Sequence, residues 1–184
     1  MSTEIALVVG ANGQDGAYLS RYLIINGYKV IGTSRDASQC NKENLIKLNI
    51  DNDIELISLS PNDYRNVIDV ITKVSPSHIY NLSGMTSVGL SYDLPFECIN
   101  SILNATLNFL EALRFTGCKA RYFNAASSEC FGNIKNGFAN ENTIFSPKSP
   151  YGVSKSSAFW LVSSYRESYG IFCCSGILGN HESP

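Results

Sequence analysis

Short apolar runs rich in valine and isoleucine recur along the chain, and longer stretches with helical spacing of apolar residues lie between them. A run of roughly four to eight apolar residues is typical of a buried strand, and buried strands that alternate with helices predict a parallel sheet. The six predicted strands are residues 5–9 (IALVV), 28–34 (YKVIGTS), 54–59 (IELISL), 78–83 (HIYNLS), 120–127 (ARYFNAAS) and 171–178 (IFCCSGIL). The pattern therefore predicts an α/β fold with right-handed crossovers, in which helices cover both faces of a doubly wound parallel sheet.

The intervening stretches carry the start and stop signals of helices. Apolar periodicity, glycine and proline stops and one N-cap predict four helices, over residues 15–26, 63–74, 95–116 and 149–169. The last of these is expected to begin with Ser149 as its N-cap, to carry Pro150 at its first helical position, and to end before Gly170. Residues 130–147 form the longest stretch with neither pattern, and we expect it to be irregular.

Composition narrows the class of protein. With 184 residues, of which 44% are hydrophobic and 16% charged, the chain is long enough for one compact domain spanning residues 1–184. A net charge of −2 and the absence of a Lys/Arg run argue against nucleic acid or a membrane surface as a partner. The start MSTEIALVVG lacks the basic residues of a signal peptide, and no stretch is long enough to span a bilayer. We therefore expect a soluble, cytoplasmic protein.

The cysteines and histidines do not form a metal-binding pattern. The six cysteines are scattered without a Cys-x-x-Cys pair, and only two histidines could complete a site. We expect the cysteines to be reduced thiols and the chain to hold no metal.

Three glycines follow the first predicted strand at once, in the segment GANGQDG. Gly10 would allow a tight turn, Gly13 would let the backbone approach a pyrophosphate, and Gly16 would let helix and strand pack closely. Such a turn places phosphates on the N–H groups at a helix N-terminus, which predicts a Rossmann-like nucleotide site. A glycine-rich turn needed only for packing is the alternative.

Charged residues after the second predicted strand bear on the choice of nucleotide. Arg35 can pair with the 2′-phosphate of NADP, whereas Asp36 could accept hydrogen bonds from the free 2′-hydroxyl of NAD. NADP is therefore favoured and NAD is possible. Both residues could also be solvated loop charges.

Two further segments carry candidate chemistry. In SPYGVSK, Tyr151 and Lys155 lie one helical turn apart, and a nearby ammonium is expected to lower the pKa of the phenol and so favour a general base. The alternative is a packing tyrosine and a lysine that extends to solvent. The fifth strand ends in Ser127, Ser128 and Glu129, which places two hydroxyls and a carboxylate where open α/β folds bind ligands, although these residues could be only a cap and a solvated turn.

Together, GANGQDG, the SSE segment and SPYGVSK resemble the extended short-chain dehydrogenase/reductase family. Within it, GQDGAYL, SSECFG, YRESYG and GILGNHESP are similar to the GDP-mannose 4,6-dehydratases. The resemblance implies that Asn12, Gln14, Asp15, Leu82 and Ser83 also contact the cofactor. It further implies that Ser128 and Asn180 contact the substrate.

The resemblance also implies a reaction on a GDP-sugar such as GDP-mannose. Tyr151, helped by Lys155 and Ser127, would take a proton from the C4 hydroxyl as hydride leaves for NADP. Glu129 would then remove the C5 proton and assist the loss of water from C6, leaving a 4-keto-6-deoxy sugar. An NAD(P)-dependent epimerase or 4-keto-sugar reductase, which has no use for Glu129, is the alternative enzyme, and a non-catalytic nucleotide-binding module is the alternative of another class.

Several features of the chain depart from the family pattern. Ser127 replaces a threonine, and Ser60 and Pro61 stand where relatives carry an Asp-Leu pair near the adenine. Relatives that act on GDP-heptoses share most of the motifs, so the motifs do not single out GDP-mannose as the substrate. Family members continue beyond NHESP into a substrate domain, so we expect most of that domain to be absent from this chain. The resemblance implies a homodimer or homotetramer, paired through helices corresponding to residues 95–116 and 149–169. Trp160 and Phe159 could belong to that interface, although we expect core packing for Trp160.

Overall fold

A single parallel sheet forms the centre of the computed structural model, which describes residues 3–134 and 137–183. Its order is β3-β2-β1-β4-β5-β6, and the order reverses between β1 and β4. The strands are β1 (Ile5–Val9), β2 (Lys29–Ser34), β3 (Glu55–Ser58), β4 (His78–Asn81), β5 (Arg121–Ser127) and β6 (Cys173–Leu178). The predicted doubly wound sheet is confirmed, although all strands after the first are slightly shorter than the apolar runs that predicted them.

The described residues form seven α-helices, which connect the strands. They are α1 (Gln14–Ile25), α2 (Glu43–Lys47), α3 (Tyr64–Val74), α4 (Val88–Asp93), α5 (Pro95–Ile99), α6 (Ala105–Thr116) and α7 (Pro150–Tyr169). The four predicted helices are present, and α5 and α6 together form the one expected over residues 95–116. They are joined by a π-helical turn at Asn100–Asn104, a distortion that often occurs at functional sites. Helices α2 and α4 were not predicted, because helices of five and six residues are too short to show apolar periodicity.

The helices form a layer on each side of the sheet, as expected. Helices α3, α6 and α7 bury one face around Leu7, Ile79 and Tyr122. Helices α1 and α2 cover the other face around Ala6 and Val8. Successive residues of β1 therefore enter opposite cores, as the pleat of a strand requires.

The beginning of α7 is set by its cap. The Ser149 hydroxyl accepts a hydrogen bond from the Gly152 amide, and Pro150 occupies the first helical position, both as predicted. Gly170 ends the helix in the left-handed conformation, with a φ of 64°. These local signals fix where Tyr151 and Lys155 lie along α7.

The segment between β5 and α7 is irregular where the structure describes it, apart from a 3₁₀ turn at Ser128–Cys130. Lys135 and Asn136 lie outside the described residues. Phe145 packs against the rings of Phe131, Phe159 and Trp160. Trp160 is nevertheless 60% exposed, so the expectation that it packs in the core is wrong. The cause is its position on the outer side of α7.

In the described part of the chain, no helix combines the length and the apolar character needed to cross a membrane. Over the same residues, no group of three or more His, Cys, Asp or Glu side chains is placed to hold a metal ion. All six cysteines are free thiols.

Candidate cofactor and catalytic site

The glycine turn joins β1 to α1 in a strained, tightly packed conformation. Gly10 has a φ of +86°, which side chains rarely adopt, and its amide and that of Ala11 both donate to the Thr33 carbonyl oxygen on β2. A Cβ on Gly16 would lie 2.2 Å from the Gly10 carbonyl oxygen, so this position excludes any side chain. Two of the three predicted roles, the tight turn at Gly10 and close packing at Gly16, are therefore confirmed.

The first turn of α1 offers free hydrogen-bond donors. Gly13 is the N-cap and supplies no side-chain hydrogen bond to the N–H groups that follow it. The Asn44 side chain donates to the Asn12 carbonyl oxygen and so ties the turn to α2. A helix N-terminus of this kind attracts anions, because its N–H groups and its dipole point toward them.

A cavity of about 720 Å³ opens beside this turn, at the carboxyl ends of the strands. Its size lies within the range of small-molecule sites. Of the predicted cofactor residues, the cavity is lined by Gly10, Asn12, Gly13, Arg35, Leu82 and Ser83. Gln14, Asp15, Gly16, Tyr151 and Lys155 do not appear in the lining among the described residues.

The cavity also has walls that sequence reasoning missed. One is formed by Thr86 and Ser87 just before α4, Leu90 on α4, Glu97 on α5 and Ser101 on the π-helical turn. The only sequence signal for these lining residues was their position after the fourth strand, because the segments that follow parallel strands all begin at the same edge of the sheet. Ser60 and Pro61, which the resemblance places near the adenine, also line the cavity, together with Asn62.

Arg35 and Asp36 have different environments. Arg35 lines the cavity, whereas the Asp36 carboxylate accepts hydrogen bonds from the Ser38 amide, the Ser38 hydroxyl and the Gln39 amide. The Ser38 hydroxyl is the main reason that the pKa of Asp36 lies below its usual value. Asp36 is therefore engaged within its own loop, as Asp residues in such turns often are.

Tyr151 and Lys155 lie on the buried side of α7, 8% and 7% exposed. The Lys155 ammonium donates to the Ala125 carbonyl oxygen on β5 at 2.7 Å and lies 5.7 Å from the centre of the Tyr151 ring. Burial lowers the pKa of Lys155 from 10.5 to about 8. The two side chains are therefore together, as predicted, and neither is a solvated surface group.

The protonation of Tyr151 differs from the expectation. Its pKa is raised, chiefly by burial, and Ser127 opposes that shift through a side-chain hydrogen bond. The expected lowering by Lys155 is therefore wrong for this structure. The physical reason is that the free energy lost when the phenolate is removed from water exceeds the stabilisation that neighbouring groups give it. The Lys155 ammonium contributes little, because it donates its hydrogen bond to the Ala125 carbonyl oxygen.

Ser127 and Glu129 lie next to Tyr151, where β5 ends. The Ser127 hydroxyl accepts from the Glu129 amide at 3.2 Å, and the nearby Glu129 carboxylate adds to the effect of burial in raising the pKa of Tyr151. The structure thus brings together the four predicted catalytic residues, Ser127, Glu129, Tyr151 and Lys155. Ser128 is exposed beside them.

The NHESP segment lies against the first turn of α1. The Gln14 side chain donates to the His181 carbonyl oxygen at 3.0 Å, and the His181 Nδ1 lies 2.9 Å from an Asp15 carboxylate oxygen. Asn180 is exposed on this segment, and Pro184 lies outside the described residues. Gln14 and Asp15 therefore hold the chain that carries Asn180 beside the glycine turn.

Comparison with known proteins agrees with this arrangement. A family model described as GDP-mannose 4,6 dehydratase matches residues 7–184. The chain belongs to the GDP-mannose 4,6-dehydratase family. A member of this family from Vibrio cholerae serotype O1, named GDP-mannose 4,6-dehydratase, is 37% identical over 191 residues, which cover 100% of this chain and 51% of that protein. GDP-mannose 4,6 dehydratase 2 of Arabidopsis thaliana is also 37% identical, over 98% of this chain and 51% of its own length.

Solved structures share the fold. The UDP-glucose 4-epimerase of Thermus thermophilus, in complex with NAD, superposes with a TM-score of 0.82 at 26% identity over 93% of this chain and 53% of its own. The dTDP-glucose 4,6-dehydratase DesIV of Streptomyces venezuelae has a TM-score of 0.81 at 21% identity over 93% of this chain and 54% of its own. This GDP-mannose 4,6-dehydratase family member thus spans about half the length of the relatives it matches.

Proposed function

We propose that this chain supplies the cofactor site and the acid–base residues of a nucleotide-sugar 4,6-dehydratase, a lyase that acts on a GDP-hexose such as GDP-mannose. The observation that carries the proposal is the position of Glu129 beside Tyr151 and Ser127, at the carboxyl end of β5. A 4-epimerase or a 4-keto-sugar reductase requires acid–base chemistry only at C4, whereas a dehydratase also needs a group that serves C5 and C6. The names of the relatives, GDP-mannose 4,6-dehydratase, support the same choice.

At C4, the base is Tyr151. A nicotinamide held by the cavity residues would supply the hydride chemistry, as the acceptor for C4 and later as the donor for C6. Tyr151 accepts the proton of the C4 hydroxyl, so that C4 becomes a ketone. Because burial raises the pKa of Tyr151, its base form depends on the side-chain hydrogen bond with Ser127, which lowers that pKa. Lys155 is the cation beside the phenol, 5.7 Å from the centre of its ring.

At C5 and C6, the acid–base group is Glu129. The 4-keto group acidifies the C5–H bond, and the carboxylate removes that proton. The resulting carboxylic acid then donates the proton to the C6 hydroxyl, which leaves as water. One carboxyl group can serve both positions because they are adjacent. Reduction at C6 requires one proton at C5, and the proton that Tyr151 took from the C4 hydroxyl balances it, so that Glu129 and Tyr151 both end the cycle in their starting protonation states.

The residues that line the cavity fit a nicotinamide dinucleotide, and we propose NADP in preference to NAD. The first turn of α1 would receive the pyrophosphate on its N–H groups. Arg35 is free to pair with a 2′-phosphate, while the Asp36 carboxylate is held by Ser38 and Gln39 and so does not compete for the ribose. The NAD complex of the Thermus thermophilus relative supports the class of cofactor.

We also propose that the protein forms a homodimer or homotetramer through α5, α6 and α7. Large apolar side chains on these helices are exposed, namely Phe96, Ile99, Leu107, Val153 and Trp160. Exposed apolar side chains on neighbouring helices are the kind of surface that a second subunit would cover.

The reaction itself can be tested by mass spectrometry. The longest natural form of this chain is incubated with NADP⁺ and GDP-mannose, in parallel with its Glu129→Gln variant. We expect a product lighter by one water, and we expect the variant to bind cofactor but to form that product at least about 100-fold more slowly. Glu129→Gln keeps the size of the side chain and removes its charge and its ability to accept and return a proton, so any loss of activity reports on the carboxylate.

Other products would point elsewhere. A product of unchanged mass with inverted C4 would show an epimerase and would contradict the role of Glu129. Cofactor binding without turnover of any GDP-hexose or GDP-heptose would favour a non-catalytic module.

A further inference from the structure

Ser91 is a completely buried hydroxyl on α4 that contacts the backbone of Tyr151. Its side chain is 0% exposed. Its oxygen donates to the Val88 carbonyl oxygen at 2.6 Å and accepts from the Tyr151 amide at 3.2 Å. The second bond joins two residues that are 60 positions apart in the sequence.

This bond completes the hydrogen bonding at the start of α7. Pro150 has no N–H group that needs a partner. The Gly152 amide donates to the Ser149 hydroxyl, and the Val153 amide donates to the Ser149 carbonyl oxygen. The Tyr151 amide is thus the first-turn donor whose partner, Ser91, comes from another element. A buried donor left without a partner is costly, so the backbone at Tyr151 is held where the Ser91 oxygen lies.

Helix α4 also touches the cofactor cavity. Ser87 and Leu90, at the start of α4, line that cavity. Tyr92 donates from its phenol to the Lys148 carbonyl oxygen, which adds a second bond between α4 and the approach to α7. A six-residue helix therefore forms cavity wall at one end and holds the start of α7 at the other.

We propose that Ser91 is a positioning residue for Tyr151, which sets the height of the phenol relative to the cofactor cavity through the backbone of α7. The proposal rests on the proposed role of Tyr151 as the base at C4. A displacement of about 1 Å can cost on the order of 100-fold in rate, so even a fraction of that shift reduces turnover. Substrate binding does not depend on this hydrogen bond.

The test compares Ser91→Ala with a matched control, Thr116→Val. The Thr116 hydroxyl also donates to a carbonyl oxygen of its own helix, that of Ala112, and accepts a backbone amide, that of Cys118, but lies at the far end of α6. In the longest natural form of the chain, we expect Ser91→Ala to lower kcat about 10-fold or more with less than about a twofold change in KM. Thr116→Val is expected to leave both constants unchanged.

A second readout is independent of turnover. With fluorotyrosine incorporated, the ¹⁹F signal that Tyr151→Phe removes belongs to Tyr151. We expect Ser91→Ala to change the chemical shift and the titration midpoint of that signal, and Thr116→Val to change neither. This measurement stands even if no sugar nucleotide is dehydrated, so it separates a failure of this proposal from a failure of the proposed function.

A purely structural role of Ser91 would give a different result. The proposal is overturned if Ser91→Ala leaves the Tyr151 signal and kcat as they are in the natural protein and lowers only thermal stability, to the extent that Thr116→Val does. If Ser91→Ala does not fold, Ser91→Cys keeps the side-chain volume with a weaker acceptor and is judged by the same two readouts.

Discussion

The backbone carbonyl oxygen of Glu129 lies 2.8 Å from the point that a Cβ atom on Gly152 would occupy. Such a Cβ would also lie 3.2 Å from the Cβ of Pro147 and 3.3 Å from the Ser149 hydroxyl. The backbone conformation at position 152 does not require a glycine, since this residue lies inside α7. A glycine is needed because the 3₁₀ turn that carries Glu129 passes directly over the first turn of this helix.

The first prediction concerns Gly152→Ala. The added methyl group displaces the Glu129 backbone from α7, so the carboxylate moves relative to the Tyr151 phenol. We expect the rate of water loss to fall about 10- to 100-fold and stability to fall by about 1–3 kcal/mol. Turnover and thermal unfolding are measured beside Gly89→Ala, a helical glycine whose added Cβ would make only an ordinary contact, 3.9 Å from the Ser87 hydroxyl. Equal behaviour of the two variants would contradict the close approach.

A second prediction concerns Gly16→Ala. Its Cβ would lie 2.2 Å from the Gly10 carbonyl oxygen and 2.8 Å from the Ala11 Cα, both of them backbone atoms that cannot give way cheaply. We expect α1 to shift away from β1, with a loss of more than about 2 kcal/mol of stability and at least about 10-fold weaker NADP binding. Calorimetry and denaturant unfolding measure both effects. Tyr22→Ala, an exposed change on the same helix, should reproduce neither of them.

The third prediction follows from the buried ammonium of Lys155. Its pKa is lowered from 10.5 to about 8 in the folded protein, so the unfolded chain binds the extra proton between those two pH values. Stability therefore rises as pH increases from about 8 to about 10.5, and the penalty for the buried charge is fully present below pH 8. The difference of about 2.5 pKa units corresponds to about 3 kcal/mol.

A variant without the Lys155 charge shows how much of the pH dependence of stability comes from this residue. At pH 7 we expect Lys155→Met to be as stable as the natural protein or more so, although inactive, because a buried charge is costly. Its advantage should shrink as pH rises from 8 to 10.5. Urea unfolding at several pH values measures this, with the exposed Lys119→Met as control. A stability difference that is independent of pH would show that Lys155 has an ordinary pKa.

A fourth prediction separates Arg35 from Asp36. Arg35→Gln should weaken NADP binding about 10- to 100-fold and leave NAD binding nearly unchanged, because the charge-assisted hydrogen bonds to a 2′-phosphate are lost. Asp36→Asn should leave the NADP-to-NAD ratio unchanged, since the side-chain oxygen remains available to Ser38 and Gln39. Fluorescence titration with both nucleotides measures the ratios. A large change in the ratio for Asp36→Asn would mean that Asp36, and not Arg35, reads the ribose.

Much of the fold was determined by the sequence alone, because its signals are local. The apolar runs predicted six parallel strands, and Ser149, Pro150 and Gly170 marked the limits of α7. The roles of Gly10 and Gly16 followed from spacing, since a positive φ and a close helix–strand contact arise within a few residues of each other. The grouping of Tyr151 with Ser127 also followed, because neighbouring elements meet at one edge of a parallel sheet.

Other features were decided only by the tertiary structure. Ser91 lies 60 residues before Tyr151, whose amide donates to it. Glu129 lies close to Gly152, although the chain between them is irregular and has no periodic pattern that would predict the contact. The direction of the Tyr151 pKa depends on how deeply the phenol is buried, which the Tyr-x-x-x-Lys spacing does not contain. Hydrogen bonds between distant segments and the loss of water around a side chain are properties of packing, and so they exist only once the whole chain has folded.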